Sequence, residues 1–143
     1  MHYYDTSVLI KSYVFEPNSE QAIRLLELCD SPIPISHTLS LELSNALRLK
    51  VFRSEISKHE ADSYWRAFQD DLENGIFFYP TYDPLEIYNL AQRLSEKFTA
   101  QKGARTLDIL HVAFALNVPC KTFTTFDHRQ QELATAAKLK SLQ

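Results

Sequence analysis

The sequence is poor in glycine and proline and contains no long apolar stretch. Its 143 residues include two glycines and six prolines, so we expect neither a glycine-rich loop that cradles a phosphate nor a flexible linker. No run of about 18 apolar residues occurs, which predicts that no segment spans a membrane. Asp5 and Lys11 interrupt the N-terminal stretch MHYYDTSVLIKSYVF, which is therefore not typical of a signal peptide. We expect a cytoplasmic protein.

Cysteine is scarce too. Cys29 and Cys120 both have apolar neighbours. One disulfide is formally possible, but buried free thiols in a cytosolic protein are favoured. No cluster of cysteine and histidine with the spacing of zinc ligands occurs, so a zinc site is not expected.

The chain also lacks an excess of positive charge. Its net charge is −3 and its isoelectric point is about 5.9, which counts against tight, non-specific binding of nucleic acid. The acidic balance does not count against an enzyme that gathers acids at a metal, because the metal reverses the local sign. The length and the hydrophobic content of 45% predict one globular domain, residues 1–143.

Strand and helix patterns alternate from the first residues to the last. Strands are predicted at HYY (2–4), PIPIS (32–36), IFFY (76–79) and KTFTTF (121–126), with KLKSL (138–142) as an edge strand. Helices are predicted over residues 5–15, 19–29, 36–53, 57–75, 83–103, 106–116 and 127–137. This alternation predicts a parallel sheet covered by helices on both faces.

Two acids follow predicted strands directly. Asp5 comes after HYY and Asp127 after KTFTTF, and ligands of parallel sheets bind outside the carboxyl ends of the strands. Each Asp is also a good helix N-cap, which for Asp5 is an equally good explanation. The two roles are compatible, because a carboxylate has two oxygens.

Two further acids lie in apolar helical surroundings. Glu42 stands between two leucines, and Asn45 one turn later is placed to bind the same ligand; a boundary position on an amphipathic helix explains Glu42 equally well. Asp108 stands in TLDILHVAFAL with His111 on its face, although Asp is rarely buried without a partner. The alternative is a first-turn Asp that favours the helix dipole, with Thr106 as the cap.

Four such carboxylates suit a hard cation. Mg²⁺ and Mn²⁺ prefer oxygen ligands, and carboxylates around one or two such ions can hold a scissile phosphate and activate a water. Without a metal the four acids repel one another, so at least one of them should have a raised pKa.

The chain resembles a known family in four separate motifs: DTSVLIKSYV, LSLELSNAL, RTLDILHVAFAL and TTFDHRQ. In these motifs, and in their order over essentially the whole chain, it is similar to the PIN-domain ribonucleases, and it looks most like the VapC-type toxins of bacterial toxin–antitoxin pairs. The resemblance implies a three-layer α/β/α sandwich with a central parallel sheet. It also implies Mg²⁺- or Mn²⁺-dependent hydrolysis of RNA, a homodimer, and a small cognate antitoxin as partner.

The resemblance also assigns residues. The catalytic and metal-binding acids would be Asp5, Glu42, Asp108 and Asp127. Polar support near the site would come from Thr6, Asn45 and Thr125.

Other residues have weaker assignments. Several cations near the motifs are candidates for RNA phosphates, although ordinary surface charge explains any single one better: Arg48, Lys50, Arg53, Lys102, Arg105, Lys121 and Arg129. The histidines beside the motifs, His37, His111 and His128, are interpreted as core or capping residues.

Other classes of protein also place acids at strand ends. A phosphatase with an aspartyl nucleophile would need a second Asp where Ser7 stands, and a receiver domain would need adjacent acids near the first strand and a lysine after a late strand. The remaining alternative is a catalytically silent PIN-like module that binds RNA or a protein. The four intact acids count against it.

Overall fold

The structure is a computed structural model and describes residues 1–141. Its strands are β1 (His2–Tyr4), β2 (Ile33–Pro34), β3 (Phe77–Phe78) and β4 (Thr122–Thr124). Its α-helices are α1 (Thr6–Tyr13), α2 (Ser19–Glu27), α3 (His37–Phe52), α4 (Lys58–Glu73), α5 (Pro84–Leu94), α6 (Ala100–Lys102), α7 (Thr106–Asn117) and α8 (His128–Ala136). A π-helical segment, Ser95–Thr99, joins α5 to α6.

The strand pairs are parallel, as predicted. Strand β1 pairs with β4, with Tyr4 opposite Thr124, and β2 pairs with β3, with Ile33 opposite Phe77. Strand β1 also packs beside β2, but no ladder joins them within the described residues. Pro34 explains this break: the N–H groups of Ile33 and Ile35 point to β3, so the proline stands where a donor would face β1.

Helices flank the strands on both sides. Helices α1 to α4 pack with one another, and α5, α7 and α8 form a second packed group. The fold is therefore the predicted α/β sandwich with parallel strands between helical layers. The core between the layers is aromatic and aliphatic, and its largest fully buried side chains are Tyr3, Tyr4, Phe68, Phe114, Phe123, Leu9, Ile35, Leu39, Leu43, Leu47 and Leu133.

Side-chain caps begin the helices where the sequence predicts. Asp5 caps α1, Asp83 caps α5 with a proline in the first turn, and Asp127 caps α8. Ser57 and Glu60 form the predicted capping box at the start of α4. These caps fix where the chain leaves each strand, and thereby where the acids that follow the strands lie.

Some local predictions need correction. The helix predicted to run to Gly103 is α-helical only to Leu94. A π-helical turn follows it, and the helical path ends at Gly103, which has a φ of 63°. Thr106 is the first residue of α7 and not its cap, since Arg105 holds the extended cap position.

The predicted edge strand at 138–142 is described only in part, because Leu142 lies outside the described residues. Lys140 forms an isolated parallel bridge with Thr122, and its carbonyl accepts a hydrogen bond of 2.7 Å from the N–H of Phe123.

Cys29 is half-buried, Cys120 is buried, and both thiols are free. No helix within residues 1–141 has the length and apolar character needed to cross a bilayer.

Candidate metal centre

One open cavity of about 480 Å³ collects all four predicted acids. We call it the carboxylate cavity. Its lining consists of Asp5, Thr6, Ser7, Glu42, Arg105, Thr106, Leu107, Asp108, His111, Asp127 and Gln130. The parallel pairing of β1 with β4 brings the first and last acids together, because the N–H of Asp5 donates to the carbonyl of Thr124 at 3.1 Å.

Asp5 is the most enclosed of the four carboxylates. Its side chain caps α1 by accepting from the N–H of Val8 at 3.2 Å, and the same oxygen accepts from Ser7 at 2.7 Å. The other oxygen accepts from the hydroxyl of Thr125 at 2.8 Å. Asp5 is 4% exposed, and this burial raises its pKa despite those bonds. The cavity therefore disfavours the ionised form of Asp5 when no cation is present.

Glu42 is held through a buried chain of hydrogen bonds. Its Oε2 atom accepts from Thr6 at 2.6 Å and lies 2.5 Å from Nε2 of His111. The Nδ1 atom of His111 lies 2.5 Å from the hydroxyl of Tyr3. A neutral imidazole satisfies both contacts if Nε2–H donates to Glu42 and Nδ1 accepts from Tyr3. Burial raises the pKa of Glu42, but its interactions with His111 and Thr6 and the positive charge of Arg105 outweigh this effect, and the net shift is downward.

Arg105 joins the two remaining acids. Its Nε–H donates to Oδ2 of Asp108 at 3.2 Å, and a terminal N–H donates to Oδ2 of Asp127 at 2.7 Å. The backbone N–H of Arg105 donates to the same oxygen of Asp108 at 3.0 Å. The other oxygen of Asp127 caps α8 by accepting from the N–H groups of Arg129 and Gln130. The paired carboxylates raise the pKa of Arg105, first through its hydrogen bond to Asp108.

The four carboxylates of the cavity are of the chemical type that divalent cations bind, but their side chains are not arranged as a metal site in this structure. Four carboxylates face a single guanidinium, so the cavity carries an excess of negative charge. Oε1 of Glu42 and Oδ1 of Asp108 accept no hydrogen bond within the described chain. However, no three acid, imidazole or thiol groups of residues 1–141 are gathered closely enough to hold a metal as they stand. The fit to Mg²⁺ or Mn²⁺ therefore lies in the chemistry of the lining, since these cations prefer carboxylate oxygens.

The predicted supporting residues divide into two groups. Thr6 lines the cavity and anchors Glu42, and Thr125 anchors Asp5 from behind the lining. Asn45 is exposed and lies outside the cavity, although it is one turn from Glu42 on α3.

Three residues of the site have larger roles than the sequence predicts. His111, interpreted as a core or capping residue, is indeed buried but also binds Glu42. Arg105, noted only as one of several cations, joins two of the acids. Ser7 received no role, yet its hydroxyl donates to Asp5 and accepts from the N–H of Phe126. The position of His111 on the face of Asp108 was the available indication for the first of these.

Comparison with known proteins supports the fold. The chain is similar to the crystal structure of FitAcB from Neisseria gonorrhoeae, with a TM-score of 0.66 and 18% sequence identity, over 100% of this chain and 97% of that chain. The likeness shows a PIN-like fold. No protein-family model and no curated protein matches the sequence.

Proposed function

We propose that this protein is a Mg²⁺- or Mn²⁺-dependent ribonuclease that hydrolyses phosphodiester bonds in RNA. The observation that carries the proposal is the carboxylate cavity itself. Acids from four distant segments, Asp5, Glu42, Asp108 and Asp127, line one open cavity at the carboxyl ends of β1 and β4. The PIN-like fold and the four PIN-type motifs point to the same chemistry.

The chain's own residues would act as follows. Asp5 and Asp108 would provide the core ligands of the cation, and Glu42 and Asp127 would complete the site directly or through water. A bound divalent cation would supply an activated water and offset charge on the phosphate oxygens. Ser7 and Thr125 hold the carboxylate of Asp5 by 2.7 and 2.8 Å hydrogen bonds. Such hydrogen bonds orient a ligand carboxylate and favour its ionised form.

We also propose that the protein is the toxin of a toxin–antitoxin pair, held by a small antitoxin, and that it forms a homodimer. This part rests on the resemblance of the motifs to VapC-type toxins. An apolar surface near α1 and α2 supports a protein partner: a cavity of about 620 Å³ is lined by Tyr13, Ile23, Leu26 and Ile76. Phe15, just after α1, is 87% exposed, and large exposed apolar side chains are frequent at interfaces.

One observation favours a second candidate function, a catalytically silent PIN-like module that binds RNA or a protein. Arg105 neutralises part of the charge of Asp108 and Asp127 without any metal. A module that had lost catalysis would retain such an internal ion pair. The two candidates differ in one simple property, because only the nuclease needs a divalent cation to act.

Cleavage of RNA by the purified protein tests the proposal. Wild type should cut in Mg²⁺ or Mn²⁺, stop in excess EDTA, and lose activity on Asp5→Asn. Cleavage of equal extent by wild type and Asp5→Asn would contradict the assignment. Expression in cells extends the test: wild type should arrest growth and produce RNAs with discrete new 5′ ends, and Asp5→Asn should not.

A further inference from the structure

Arg105 occupies the place where the proposed cation needs its ligands. Its guanidinium bonds to Oδ2 of Asp108 and to Oδ2 of Asp127. The second oxygen of Asp127 is already used as the cap of α8. As long as Arg105 stays in place, both oxygens of Asp127 accept hydrogen bonds, and a cation would have to share Oδ2 with the guanidinium.

The anchoring of Arg105 is weak enough to be reversible. Its side chain is 63% exposed, while those of its partners Asp127 and Asp108 are 32% and 12% exposed. An ion pair whose cation has such access to water contributes little net stability, because solvent screens it. The backbone N–H of Arg105 bonds to Asp108 independently of the side chain, so the guanidinium can leave while the start of α7 stays intact.

We propose that Arg105 is a tethered cation that competes with the divalent metal for Asp108 and Asp127 and that, once displaced, contacts an RNA phosphate. The inference rests on the proposed function, since it assumes the metal site. Arg105 is the one Lys or Arg among the residues that line the carboxylate cavity within the described chain. Displacement therefore places the single fixed positive charge of the lining at the rim, where a phosphate approaches.

Removal of the guanidinium should change metal affinity and catalytic rate in opposite directions. Removing the guanidinium should strengthen metal binding, because the competing cation is gone. It should weaken catalysis at saturating metal, because the phosphate contact is also gone. If Arg105 merely held the acids in position, removing its guanidinium would weaken both metal binding and catalysis.

Titration calorimetry with MnCl₂ on metal-stripped full-length protein measures the first consequence. Arg105→Gln removes the charge and keeps a polar side chain of similar reach. Arg129→Gln is the matched control, because it removes one positive charge two residues from Asp127 on a side chain that forms no ion pair within residues 1–141. We expect Arg105→Gln to bind Mn²⁺ about three- to tenfold more tightly than wild type. Arg129→Gln should change the affinity by less than about twofold. Circular dichroism confirms that both variants are folded.

RNA cleavage at saturating Mn²⁺ measures the second consequence. We expect kcat of Arg105→Gln to fall about tenfold or more, since a charge-assisted contact to the reacting phosphate is lost. Equal kcat for wild type and Arg105→Gln would overturn the phosphate contact.

The other outcomes separate this inference from the proposed function. Equal affinity changes in Arg105→Gln and Arg129→Gln would show a simple effect of net charge and would overturn the competition. Weaker Mn²⁺ binding by Arg105→Gln would also overturn it and would make Arg105 a positioning residue. If wild type binds Mn²⁺ and Asp108→Asn does not, the metal site stands whatever Arg105 does. If no variant binds Mn²⁺, the metal site fails and this inference fails with it.

Discussion

The hydroxyl of Tyr3 supports the metal site from inside the core, and its removal gives a sharp test. Tyr3 and Tyr4 are neighbours in β1, both are fully buried, and each hydroxyl is hydrogen-bonded to a buried group. The hydroxyl of Tyr3 contacts His111 at 2.5 Å, whereas that of Tyr4 donates to the carbonyl of Leu25 at 2.7 Å. The Tyr→Phe change at either position therefore deletes the same atom in equally buried surroundings.

Both changes should destabilise the protein to a similar degree. Each leaves one buried polar partner without a hydrogen bond, which costs about 1–3 kcal/mol. For a domain of this size that loss lowers Tm by about 3–12 °C. Thermal unfolding of the metal-free proteins by circular dichroism measures it.

The two variants should differ in metal binding. Tyr3→Phe releases His111, which in turn positions Glu42 through a 2.5 Å contact. We expect Mn²⁺ affinity to fall about three- to tenfold, somewhat less than for groups that contact ligands directly. Tyr4→Phe should leave the affinity unchanged. If both variants lose stability equally and bind Mn²⁺ equally well, Tyr3 does not support Glu42 through His111.

Three further predictions concern the acids and the caps. Burial raises the pKa of Asp5, so folding favours its protonated carboxyl. The stability that this preference contributes is complete below the unfolded pKa, near 4, and is lost as pH rises through the folded pKa. Metal-free Asp5→Asn should therefore be more stable than wild type at neutral pH but not at pH 3.5, as chemical denaturation at the two pH values will show. Saturating Mn²⁺ should raise the Tm of wild type and of Asn45→Ala but not of Asp108→Asn, because Asn45 lies outside the cavity; differential scanning fluorimetry compares them. Ser57→Ala should cost about 1 kcal/mol by removing the cap of α4, without changing Mn²⁺ affinity.

Much of the fold could be predicted because local chemistry marks it. Short runs of aromatic and β-branched residues indicate β1 and β4, and an Asp at the end of each run begins the next helix. Parallel pairing then forces the acids that follow the strands to one edge. For this reason Asp5 and Asp127 could be brought together from the sequence.

The parts that could not be predicted depend on packing or on rotamers. The contact of His111 with Glu42 requires α7 to pack against α3, which no local pattern encodes. The position of Arg105 between two acids depends on its rotamer, and one residue before a helix many rotamers are open to it. The spacing from Glu42 predicts that Asn45 lies near the site, but three residues along an α-helix leave Asn45 about 60° around α3 from Glu42. That rotation carries Asn45 out to solvent.

The π-helical segment could not be predicted from the sequence pattern either. Ser95–Thr99 continues the helical path with one additional residue per turn. Hydrophobic periodicity over a few residues does not distinguish such a turn from a regular α-helical one.

We propose that Asp5, Glu42, Asp108 and Asp127 hold a divalent cation. Anomalous diffraction from crystals grown in MnCl₂ would locate such an ion. We predict a manganese peak in the carboxylate cavity, about 2.2 Å from carboxylate oxygens of Asp5 and Asp108, with Arg105 moved away from Asp127. A map without a peak there, with Arg105 still joining Asp108 to Asp127 at high Mn²⁺, would contradict it.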